Sequence, residues 1–428
     1  MSSLLRELDS RGLVAQVTNR DNLESHLSTG SRTVYCGFDP TAASLHHGHL
    51  VPLLLLRRFQ LEGHKPIALV GGATGLIGDP SFRSDERVLN EELTVAGWVE
   101  RLQVQVSQFI DLDVGKTRGL VVNNLDWTRE LSTVNFLRDV GKHFSVNMMI
   151  AREAVKNRLE RDGLGISYTE FSYMLLQAYD FLELHRRHHC TVQVGGNDQW
   201  GNMVSGVDLI RRETGNEAFV ATVPLITRSD GVKFGKTQGG ALWLDPAMTS
   251  PYRFYQYWIN MPDDDIEQFL RYFTFMEPSR IKELGSEIKN NPGKREGQRI
   301  LADEVTKIVH GQEGTMSAQR ITQALFGGTL RALDERDLEQ LSLDGMDWSS
   351  VGDQKNIVEA MAESGLARSR SDARKLLQSK GIQINGDPVD DPKYALDRSK
   401  ALFGKYHVVR RGKKTWHLLV HSANKELP

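Results

Sequence analysis

The chain has 428 residues, of which 25% are charged and 39% are hydrophobic, so it is long enough for at least two hydrophobic cores. The two cysteines, Cys36 and Cys190, stand far apart, which argues against a disulfide framework or a cysteine zinc site. The net charge is −2, yet residues 351–428 carry 15 Lys and Arg against 9 Asp and Glu. This asymmetry predicts a small basic module that meets a phosphate backbone, with an ordinary solvated surface as the alternative.

The N-terminal residues 1–18 mix leucines with acidic and basic residues, which predicts an amphipathic helix without the apolar stretch of a signal peptide. The longest apolar run, residues 51–56, is far shorter than the ~20 residues that a membrane-spanning helix needs. We therefore expect a protein of the reducing cytoplasm that has no membrane partner.

A strand–helix–strand pattern opens the first half of the chain. Residues 33–38 predict a buried strand that ends in turn residues. A helix follows over about residues 45–61, with Pro52 in its first turn, where the missing backbone donor costs least. A second buried strand over residues 66–70 completes the unit and predicts a parallel sheet.

The same alternation continues and favours an α/β fold with a Rossmann-like parallel sheet. After a strand predicted at residues 191–194, a turn at Gly195, Gly196 and Asn197 precedes a helix that opens at Asp198. Glycine turns at strand ends build ligand crevices. The remaining predictions are helices over residues 91–110, 133–144, 147–161 and 168–185 and a strand over residues 120–123.

The second half of the chain predicts further regions. Residues 251–326 have the pattern of several helices with polar joints, whereas the pattern weakens over residues 327–356. A basic helix at residues 369–377, a strand and turn at 382–386 and a hairpin at 406–419 predict a small α+β fold. We therefore predict a Rossmann-like domain over residues 1–245, a helical subdomain over 246–326, a linker over 327–356 and a C-terminal α+β domain over 357–428.

Two histidines stand three residues apart in His46-His47-Gly48-His49, between a predicted strand and its helix. Their imidazoles would lie near a positive helix end, which attracts phosphate oxygens, and Gly48 leaves room for a nucleotide. Taken alone, the two histidines could equally be surface residues or a zinc pair, although no third zinc ligand stands nearby.

Two lysines and a threonine share the segment Lys233-Phe234-Gly235-Lys236-Thr237. Glycines on both sides predict a mobile loop that can close over phosphates. A P-loop is a rival interpretation, but it needs four residues between its glycines, and Gly231 and Gly235 leave three. An exposed basic loop is the remaining alternative.

A glycine-rich turn follows the strand predicted at residues 66–70 and runs from Gly71 to Gly78. Its spacing departs from the G-x-G-x-x-G pattern of dinucleotide-binding folds. We therefore interpret it as a tight turn that needs glycine. Asp79 at its end becomes a carboxylate at the carboxyl edge of a strand.

Tyr173, Gln177 and Asp180 are spaced four and three residues apart along a predicted helix, so they share one face. The flanking positions are strongly apolar, which favours a pocket over bulk water as the surroundings of this polar stripe. Buried donors and acceptors would need a polar ligand. A stripe that faces water is the alternative.

Taken together and in this order, these segments resemble the class I aminoacyl-tRNA synthetases, and within them the bacterial or organellar tyrosyl-tRNA synthetases, over nearly the whole chain. Residues 35–41 leading into residues 46–49 are similar to the HIGH motif, and residues 233–237 are similar to the KMSKS motif. The acting histidines, glycine and lysines of both motifs are kept. The positions that depart from the motifs are His47 in the first and Phe234, Gly235 and Thr237 in the second.

The resemblance implies a reaction in two steps. The carboxylate of tyrosine attacks the α-phosphate of ATP and releases pyrophosphate, and the tyrosyl group then passes to the terminal ribose of tRNA(Tyr). Such chemistry needs positioning and charge rather than a covalent nucleophile, with Mg²⁺ accompanying ATP. The residues implied to stabilise the phosphate charge are His46, His49, Thr41, Lys233, Lys236 and Thr237, with Arg83 and Arg87 assisting.

The same resemblance implies how tyrosine and ATP are bound. Tyr35 and Asp180 would hydrogen-bond the phenolic hydroxyl; a polar pair there penalises phenylalanine, and this enzyme family is the standard example of that discrimination. Asp79, Tyr173 and Gln177 would receive the ammonium group. Gln199 and Gln193 complete the tyrosine side, and the residues implied around ATP are Gly37, Asp39, Gly48, Gly196, Asp198, Lys236, Arg83 and Arg87.

The basic tail resembles a small RNA-binding domain that is shared with a small-subunit ribosomal protein; a generic α+β appendage is the alternative. Its cations would position tRNA through phosphate contacts rather than read bases. The resemblance also implies a homodimer that recognises the long variable arm of the tRNA. The cations concerned are Arg368, Arg370, Arg374, Lys375, Arg410, Arg411, Lys413 and Lys414.

Two other functions stay open at this point. A tryptophanyl-tRNA synthetase shares the class I core but commonly lacks such a tail, and Asp180 with Tyr35 argues for a phenol. The second is an RNA-binding or splicing protein with an idle synthetase core, against which the intact histidines and lysines weigh. No tightly bound cofactor, structural zinc or other protein-held metal is expected from these patterns.

Overall fold

The computed structural model describes residues 4–80, 90–113, 115–160, 165–229, 231, 234 and 240–421. Within them the chain divides into two compact units. The N-terminal unit comprises Met1–Asp245 and Pro262–Gly297, and the C-terminal unit comprises Pro246–Met261 and Gln298–Pro428. The helical stretch expected over residues 246–326 therefore contributes to both units.

Helices occupy much of both units, and none of the described helices is long and apolar enough to cross a lipid bilayer. The α-helices are α1 (Leu4–Arg11), α2 (Arg20–Ser28), α3 (Leu50–Leu61), α4 (Thr74–Ile77), α5 (Glu92–Ser107), α6 (Leu125–Thr128), α7 (Thr133–Asn135), α8 (Val146–Ile150), α9 (Glu153–Leu159), α10 (Tyr168–His188), α11 (Trp200–Thr214), α12 (Pro251–Ile259), α13 (Asp263–Phe273), α14 (Pro278–Asn290), α15 (Glu296–Phe326), α16 (Glu335–Gln340), α17 (Ile357–Glu363) and α18 (Arg370–Gln378). Turns of 3-10 helix span His47–His49, Gly115–Thr117, Gly141–His143, Asn197–Gln199, Pro292–Lys294, Leu330–Ala332 and Arg398–Lys400, and π-helical turns span Phe136–Val140 and Leu341–Gly345.

A sheet forms the core of the N-terminal unit and confirms the predicted α/β fold. Its strands are β1 (Gln16–Val17), β2 (Thr33–Phe38), β3 (Lys65–Val70), β4 (Leu120–Asn123), β5 (Cys190–Gly196) and β6 (Phe219–Val223). Among the described residues the order is β1-β6-β5-β2-β3-β4, and all neighbours are parallel except β1 and β6. The chain order therefore reverses between β2 and β5, and the carboxyl ends of strands at such a point form a ligand crevice.

Local sequence explains why the elements of this unit begin and end where they do. Nearly every residue of β2 and β3 is buried, as expected for parallel strands that are covered on both faces. The Ser167 hydroxyl accepts a hydrogen bond from the Glu170 N–H and so begins α10. These features place the polar stripe of α10 beside the sheet, with which the helix packs.

Several predicted helices differ from the observed ones. The helix expected over residues 45–61 begins with a 3-10 turn, and Pro52 lies in the first turn of α3, as predicted. The helix expected to open at Asp198 likewise starts with a 3-10 turn, and α11 begins at Trp200. The helix expected over residues 133–144 is a run of α, π and 3-10 turns that ends at the extended Phe144. The helix expected over residues 147–161 is split into α8 and α9 because the backbone is extended at Arg152.

A second sheet forms the core of the C-terminal unit. Its described strands are β7 (Trp348–Val351), β9 (Ile382–Ile384), β10 (Asp387–Pro388), β12 (Tyr406–Arg411) and β13 (Thr415–His421), in the order β10-β9-β12-β13-β7. The short strands β8 (Lys355–Asn356) and β11 (Ala395–Leu396) pair with each other. Asn385 and Gly386 have φ of 53° and 95°, which is the turn geometry that their dipeptide favours between β9 and β10. The hairpin of β12 and β13 was predicted from its glycine and lysine turn.

Residues 327–356, for which a linker was predicted, contain a 3-10 turn, α16, a π-helical turn and the start of the second sheet. Leu330, Leu338 and Leu341 are buried in one hydrophobic cluster with Tyr406 and Val408. The apolar residues are interleaved with polar ones in elements too short to show a period, so this burial was not apparent in the sequence.

Candidate functional site

A cavity of about 520 Å³ lies in the N-terminal unit at the carboxyl ends of β2 and β5. It coincides with the position at which the chain order of the sheet reverses. The described residues that the sequence pointed to as tyrosine-binding, ATP-binding or catalytic all line it: Tyr35, Gly37, Asp39, Thr41, His46, Gly48, His49, Asp79, Tyr173, Gln177, Asp180, Gln193, Gly196, Asp198 and Gln199. The other predicted residues of this group, Lys233, Lys236, Thr237, Arg83 and Arg87, lie outside the described residues.

The histidine turn fixes the tautomers of two imidazoles. His46 Nδ1 accepts a hydrogen bond from the Gly48 N–H, and His49 Nδ1 accepts one from the His46 N–H, both at 3.1 Å. Burial lowers the pKa of both rings, so both are neutral and carry their proton on Nε2. A Cβ atom at Gly48 would lie 2.8 Å from Cε1 of His46. The turn therefore requires glycine and offers two N–H donors to the cavity.

Phe234 of the predicted lysine loop and the residues that follow the loop contact this turn. Within the loop itself, the Phe234 N–H donates to the Ile226 carbonyl at 2.9 Å, and the Phe234 ring lies 4.6 Å from that of His47. On the C-terminal flank the His47 N–H donates to the Leu242 carbonyl at 2.8 Å, and Trp243 forms a β-bridge with His46. Phe234 and the segment around Leu242 thus pack against the histidine turn.

The half-buried carboxylate of Asp39 holds the end of β2 against the glycine turn. Asp39 accepts hydrogen bonds from the Tyr173 hydroxyl and the Thr74 hydroxyl, each at 2.6 Å. A Cβ atom at Gly71 would lie 2.1 Å from Asp39 Oδ1 and 2.2 Å from Thr74 Oγ1. Glycine is therefore needed here because two side chains approach the backbone, rather than because of the turn that the sequence suggested.

A second carboxylate of the cavity, that of Asp180, is buried. Its Oδ2 accepts from the Asn124 amide at 2.9 Å, and its Oδ1 accepts from the Trp127 indole at 2.8 Å. The Asn124 amide also donates to the Thr74 hydroxyl at 3.0 Å, which links this carboxylate to that of Asp39. Burial raises the pKa of Asp180 to about 7, against the lowering effect of the two hydrogen bonds.

Three buried polar atoms in the cavity, Tyr35 Oη, Gln177 Oε1 and Gln193 Oε1, have no hydrogen-bond partner among the described residues. A buried polar atom without a partner costs about 1–3 kcal/mol, so these atoms suit a polar ligand. Burial and the charge of Asp180 raise the pKa of Tyr35 well above its ordinary value. Tyr35 is therefore a neutral phenol that can donate as well as accept.

A third group of polar residues lies on the side of the cavity formed by the end of β5. The Gln199 amide donates to Asp79 Oδ2 at 2.7 Å. Burial and then the charge of Asp79 raise the pKa of Asp198. A Cβ atom at Gly196 would lie 2.3 Å from Asp198 Oδ1, so glycine allows this carboxylate to fold back over the strand end.

Sequence reasoning missed Thr74, Asn124 and Trp127. Asn124 directly follows β4, and polar residues after a parallel strand are typical site residues; this position could have been noticed. Trp127 is buried like an ordinary core aromatic, and its only polar contact with the described residues of the site is the hydrogen bond from its indole nitrogen to Asp180. The sequence gives no sign of that contact.

The predicted RNA-binding cations lie in the C-terminal unit. Arg410 and Arg411 are half-buried: Arg411 donates to the Leu366 carbonyl at 2.6 Å, and Arg410 lies over the Trp416 ring at 5.0 Å. Arg370 is exposed but pairs with Glu359 at 3.1 Å. The other predicted cations are also exposed: Arg368, Arg374, Lys375, Lys413 and Lys414.

Family models match most of the chain. Residues 27–327 match the model of the class I tRNA synthetases (W and Y), and residues 337–419 match that of the tyrosine–tRNA ligase SYY-like C-terminal domain. The chain is 54% identical over 418 residues to a tyrosine–tRNA ligase of Cronobacter sakazakii, which covers 98% of each chain. It is 53% identical to the tyrosine–tRNA ligase of Salmonella paratyphi B, over 98% of this chain and 99% of the relative.

Solved structures agree with these matches. A C-terminally truncated mitochondrial tyrosyl-tRNA synthetase of Aspergillus nidulans superposes with a TM-score of 0.69 at 30% identity, covering 76% of this chain and 95% of that one. A tryptophanyl-tRNA synthetase of Encephalitozoon cuniculi gives a TM-score of 0.55 at 14% identity, covering 79% of this chain and 90% of that one, and so shows the shared fold alone. The chain therefore belongs to the tyrosine–tRNA ligases, a branch of the class I aminoacyl-tRNA synthetases.

Proposed function

We propose that the cavity of the N-terminal unit carries out tyrosine activation through the residues that line it. The carboxylate of L-tyrosine attacks the α-phosphorus of ATP, the bond from this phosphorus to the pyrophosphate oxygen breaks, and tyrosyl-adenylate forms. The tyrosyl group then passes to the terminal ribose of tRNA(Tyr) with release of AMP. The observation that carries this assignment is that Tyr35 and Asp180, both buried, line the cavity together and lie close enough for the charge of Asp180 to raise the pKa of Tyr35.

At the buried end of the cavity, Asp180 accepts a hydrogen bond from the substrate's phenolic hydroxyl, and the Tyr35 hydroxyl donates one to the oxygen of that hydroxyl. Asn124 and Trp127 hold the two oxygens of Asp180 from behind. A site built for a hydroxyl rejects phenylalanine, because the buried pair would lose its partner. Gln177 and Gln193 offer free carbonyl oxygens to the ammonium group, with Asp79, Tyr173 and Gln199 beside them.

At the outer end, His46 and His49 act as neutral donors. Their Nε2–H groups meet the negative charge that grows on the α-phosphate and the leaving pyrophosphate, together with the Thr41 hydroxyl. Lys233, Lys236 and Thr237 of the lysine loop, with Arg83 and Arg87, are proposed to supply the remaining charge. Asp39, Asp198 and the glycines Gly37, Gly48 and Gly196 surround the adenosine. The chemistry needs no covalent enzyme intermediate.

Mg²⁺ is proposed to arrive with ATP. Among the described residues, no three His, Cys, Asp or Glu side chains come together as a metal site. Mg²⁺ is commonly held by substrate phosphates and few protein ligands, so these residues do not fit a metal site built by the protein alone. We assign no step of the reaction to the ion.

Transfer to tRNA is proposed to use the C-terminal unit, where the exposed cations Arg374, Lys375, Lys413 and Lys414 suit a phosphate backbone. Arg411 is better explained as a structural residue, since it closes the loop at Leu366.

A homodimer in the cytoplasm is also proposed. Five apolar side chains of the N-terminal unit are exposed within residues 134–150: Val134, Leu137, Val146, Met148 and Ile150. Apolar surface of this kind marks a contact with another protein, and a second copy would cover it. Sedimentation equilibrium checks this: the wild-type chain is expected to be dimeric and Met148→Lys to dissociate more readily, whereas a monomeric wild type would end the proposal.

The decisive experiment for the reaction is exchange of labelled pyrophosphate into ATP with each amino acid in turn. We expect exchange that depends on tyrosine, and a large loss with Asp180→Ala. A double variant Lys413→Ala/Lys414→Ala serves as the control, because its residues belong to the other unit and should leave exchange unchanged. Exchange with tryptophan would overturn the specificity, and no exchange at all would favour an idle core that only binds RNA.

A further inference from the structure

A polar cleft of about 850 Å³ opens on the C-terminal unit, and of the cations that the sequence pointed to, only Lys414 lines it. It lies between the edge strand β7 and the tip of the hairpin of β12 and β13. The lining residues that matter here are Arg253, Asp347, Trp348, Ser349, Lys414 and Trp416.

Trp348 is the unusual member of this lining. It starts the edge strand of the sheet, and its side chain is 54% exposed. Among the described residues its indole has no hydrogen-bond or ring partner. A single exposed apolar residue needs no explanation; what distinguishes Trp348 is that it lines a cleft together with a second indole and two cations.

The second indole, Trp416, lies on the same sheet face. Trp348 is opposite Leu418 in the parallel register of β7 and β13, and Trp416 and Leu418 are two positions apart, so their side chains project to the same side. The Arg410 guanidinium lies 5.0 Å from the Trp416 ring centroid and donates to the Lys413 carbonyl at 3.0 Å. Trp416 is thus already stacked, whereas Trp348 offers an open face.

The charges of the lining favour a nucleobase over a bare phosphate. Lys414 and Arg253 bring positive charge, but the carboxylates of Asp344 and Asp347 also line the cleft. Asp344 accepts from the N–H and the hydroxyl of Ser250, so its oxygens are engaged. Asp347 is exposed; a carboxylate repels phosphate but accepts hydrogen bonds from the amino and imino groups of bases.

We propose that this cleft binds one unstacked nucleobase of the tRNA, with Trp348 as the stacking platform, Asp347 as an acceptor for the base edge and Lys414 beside the adjoining phosphate. The proposal rests on the proposed function, which makes tRNA the partner of this unit. Unpaired bases of RNA are commonly stacked on aromatic side chains and read at their edges. Transcript binding that does not depend on Trp348 would overturn the proposal and leave the cleft to a protein ligand.

The test compares Trp348→Ala, Trp348→Phe and the control Phe326→Ala, which removes another exposed aromatic of the same unit that is 75% exposed and lies outside the cleft. We expect Trp348→Ala to raise the KM for a tRNA(Tyr) transcript in aminoacylation roughly 5- to 100-fold, since a stacked base contributes that range of affinity. Trp348→Phe should retain most of the affinity, and Phe326→Ala should match the wild type. Pyrophosphate exchange should be equal in all four proteins.

Direct binding to RNA distinguishes stacking from general attraction. Trp348→Ala should weaken binding of the tRNA transcript but leave binding of a fully paired RNA duplex unchanged, because a duplex offers no unstacked base. Lys414→Ala should weaken both, and more so at low salt. The proposal is overturned if Trp348→Ala binds the transcript as the wild type does, or if it loses transcript and duplex equally. If the wild type shows no tyrosine-dependent pyrophosphate exchange, the proposed function is refuted. Binding of transcript and duplex by wild type and Trp348→Ala would still decide whether the cleft binds a nucleobase.

Discussion

The indole N–H of Trp127 donates a 2.8 Å hydrogen bond to Oδ1 of Asp180. The carboxylate is almost completely buried, and Asn124 holds its other oxygen. Together the two donors stabilise the ionised form of a carboxyl group whose pKa burial raises to about 7. Trp127 and Asn124 thus help to keep Asp180 ionised, so that it can act as a charged hydrogen-bond acceptor in the cavity.

The first prediction concerns Trp127→Phe, which keeps an aromatic ring and removes the donor. Losing a hydrogen bond to a buried charged group costs on the order of 2 kcal/mol. We expect kcat/KM for tyrosine in pyrophosphate exchange to fall about tenfold or more, with little change for phenylalanine, whose ring does not use the carboxylate. Trp98→Phe, on α5 and outside the cavity, is the matched control. An equal loss for both amino acids would show that Trp127 only supports packing.

The second prediction concerns pH. Asp180 is ionised above its pKa of about 7 and protonated below it, and only the ionised form is a strong acceptor for the substrate hydroxyl. The kcat/KM for tyrosine should therefore decrease as pH falls through 7, by at most tenfold per pH unit. His46 and His49, with their lowered pKa values, should add no step there.

Phenylalanine provides the control within the same protein. Its ring edge is better accommodated beside a protonated, neutral Asp180 than beside a charged one, so its weak binding should be flat or increase as pH falls. The ratio of tyrosine to phenylalanine binding, measured by calorimetry from pH 6 to pH 8.5, should then grow with pH. If the ratio of tyrosine to phenylalanine binding does not change with pH, the ionisation of Asp180 does not control tyrosine binding.

Particular residues show how far sequence could predict this site. Tyr173, Gln177 and Asp180 were found together because the helix period is a local property. Asn124 and Trp127 stand 56 and 53 residues away from Asp180, and they reach it only because β4 joins the sheet beside β3. The parallel strand β7 was missed for the same reason, since it pairs with β13, about seventy residues later in the chain. Pairings over such distances depend on tertiary structure, which no local pattern records.

The third prediction concerns the anchor of the lysine loop. The Ser229 N–H, just before that loop, donates to Oδ1 of Asp265 at 2.7 Å, and Asp265 is buried in the first turn of α13. Asp265→Ala removes this acceptor and leaves the Ser229 N–H without it. We expect kcat for pyrophosphate exchange to fall roughly tenfold, because the loop is held less firmly for the phosphate step.

The tyrosine end of the cavity should not respond to that change, so the tyrosine dissociation constant of Asp265→Ala should equal that of the wild type in equilibrium dialysis. Asp264→Ala, one residue earlier and exposed, is the control for the charge of this helix end. If Asp265→Ala weakens tyrosine binding and leaves kcat intact, the anchoring role is wrong.

The fourth prediction concerns two buried histidines of the C-terminal unit. His407 and His421 face each other with their Nε2 atoms 3.1 Å apart, so one ring donates and the other accepts. Burial lowers the pKa of both, that of His407 to about 4, and the charges near them are those of Asp353, Asp397 and Arg398. Protonating the accepting ring would set two N–H groups against each other.

The sign of the effect follows from these shifts. Unfolded histidine has a pKa near 6.5, so the unfolded chain binds more protons below that value, and stability is fully present above pH 6.5 and lost as pH falls toward 4. For His407 the loss approaches ~3 kcal/mol across this window. Hydrogen exchange of the β12 and β13 amides, corrected for intrinsic rates, should therefore quicken at pH 5 relative to pH 7. His407→Gln removes the group to which this loss is assigned, so its pH dependence should be smaller, although His310, His417 and His421 still titrate in the same unit. Equal slopes in the two proteins would assign the acid sensitivity to those other histidines instead.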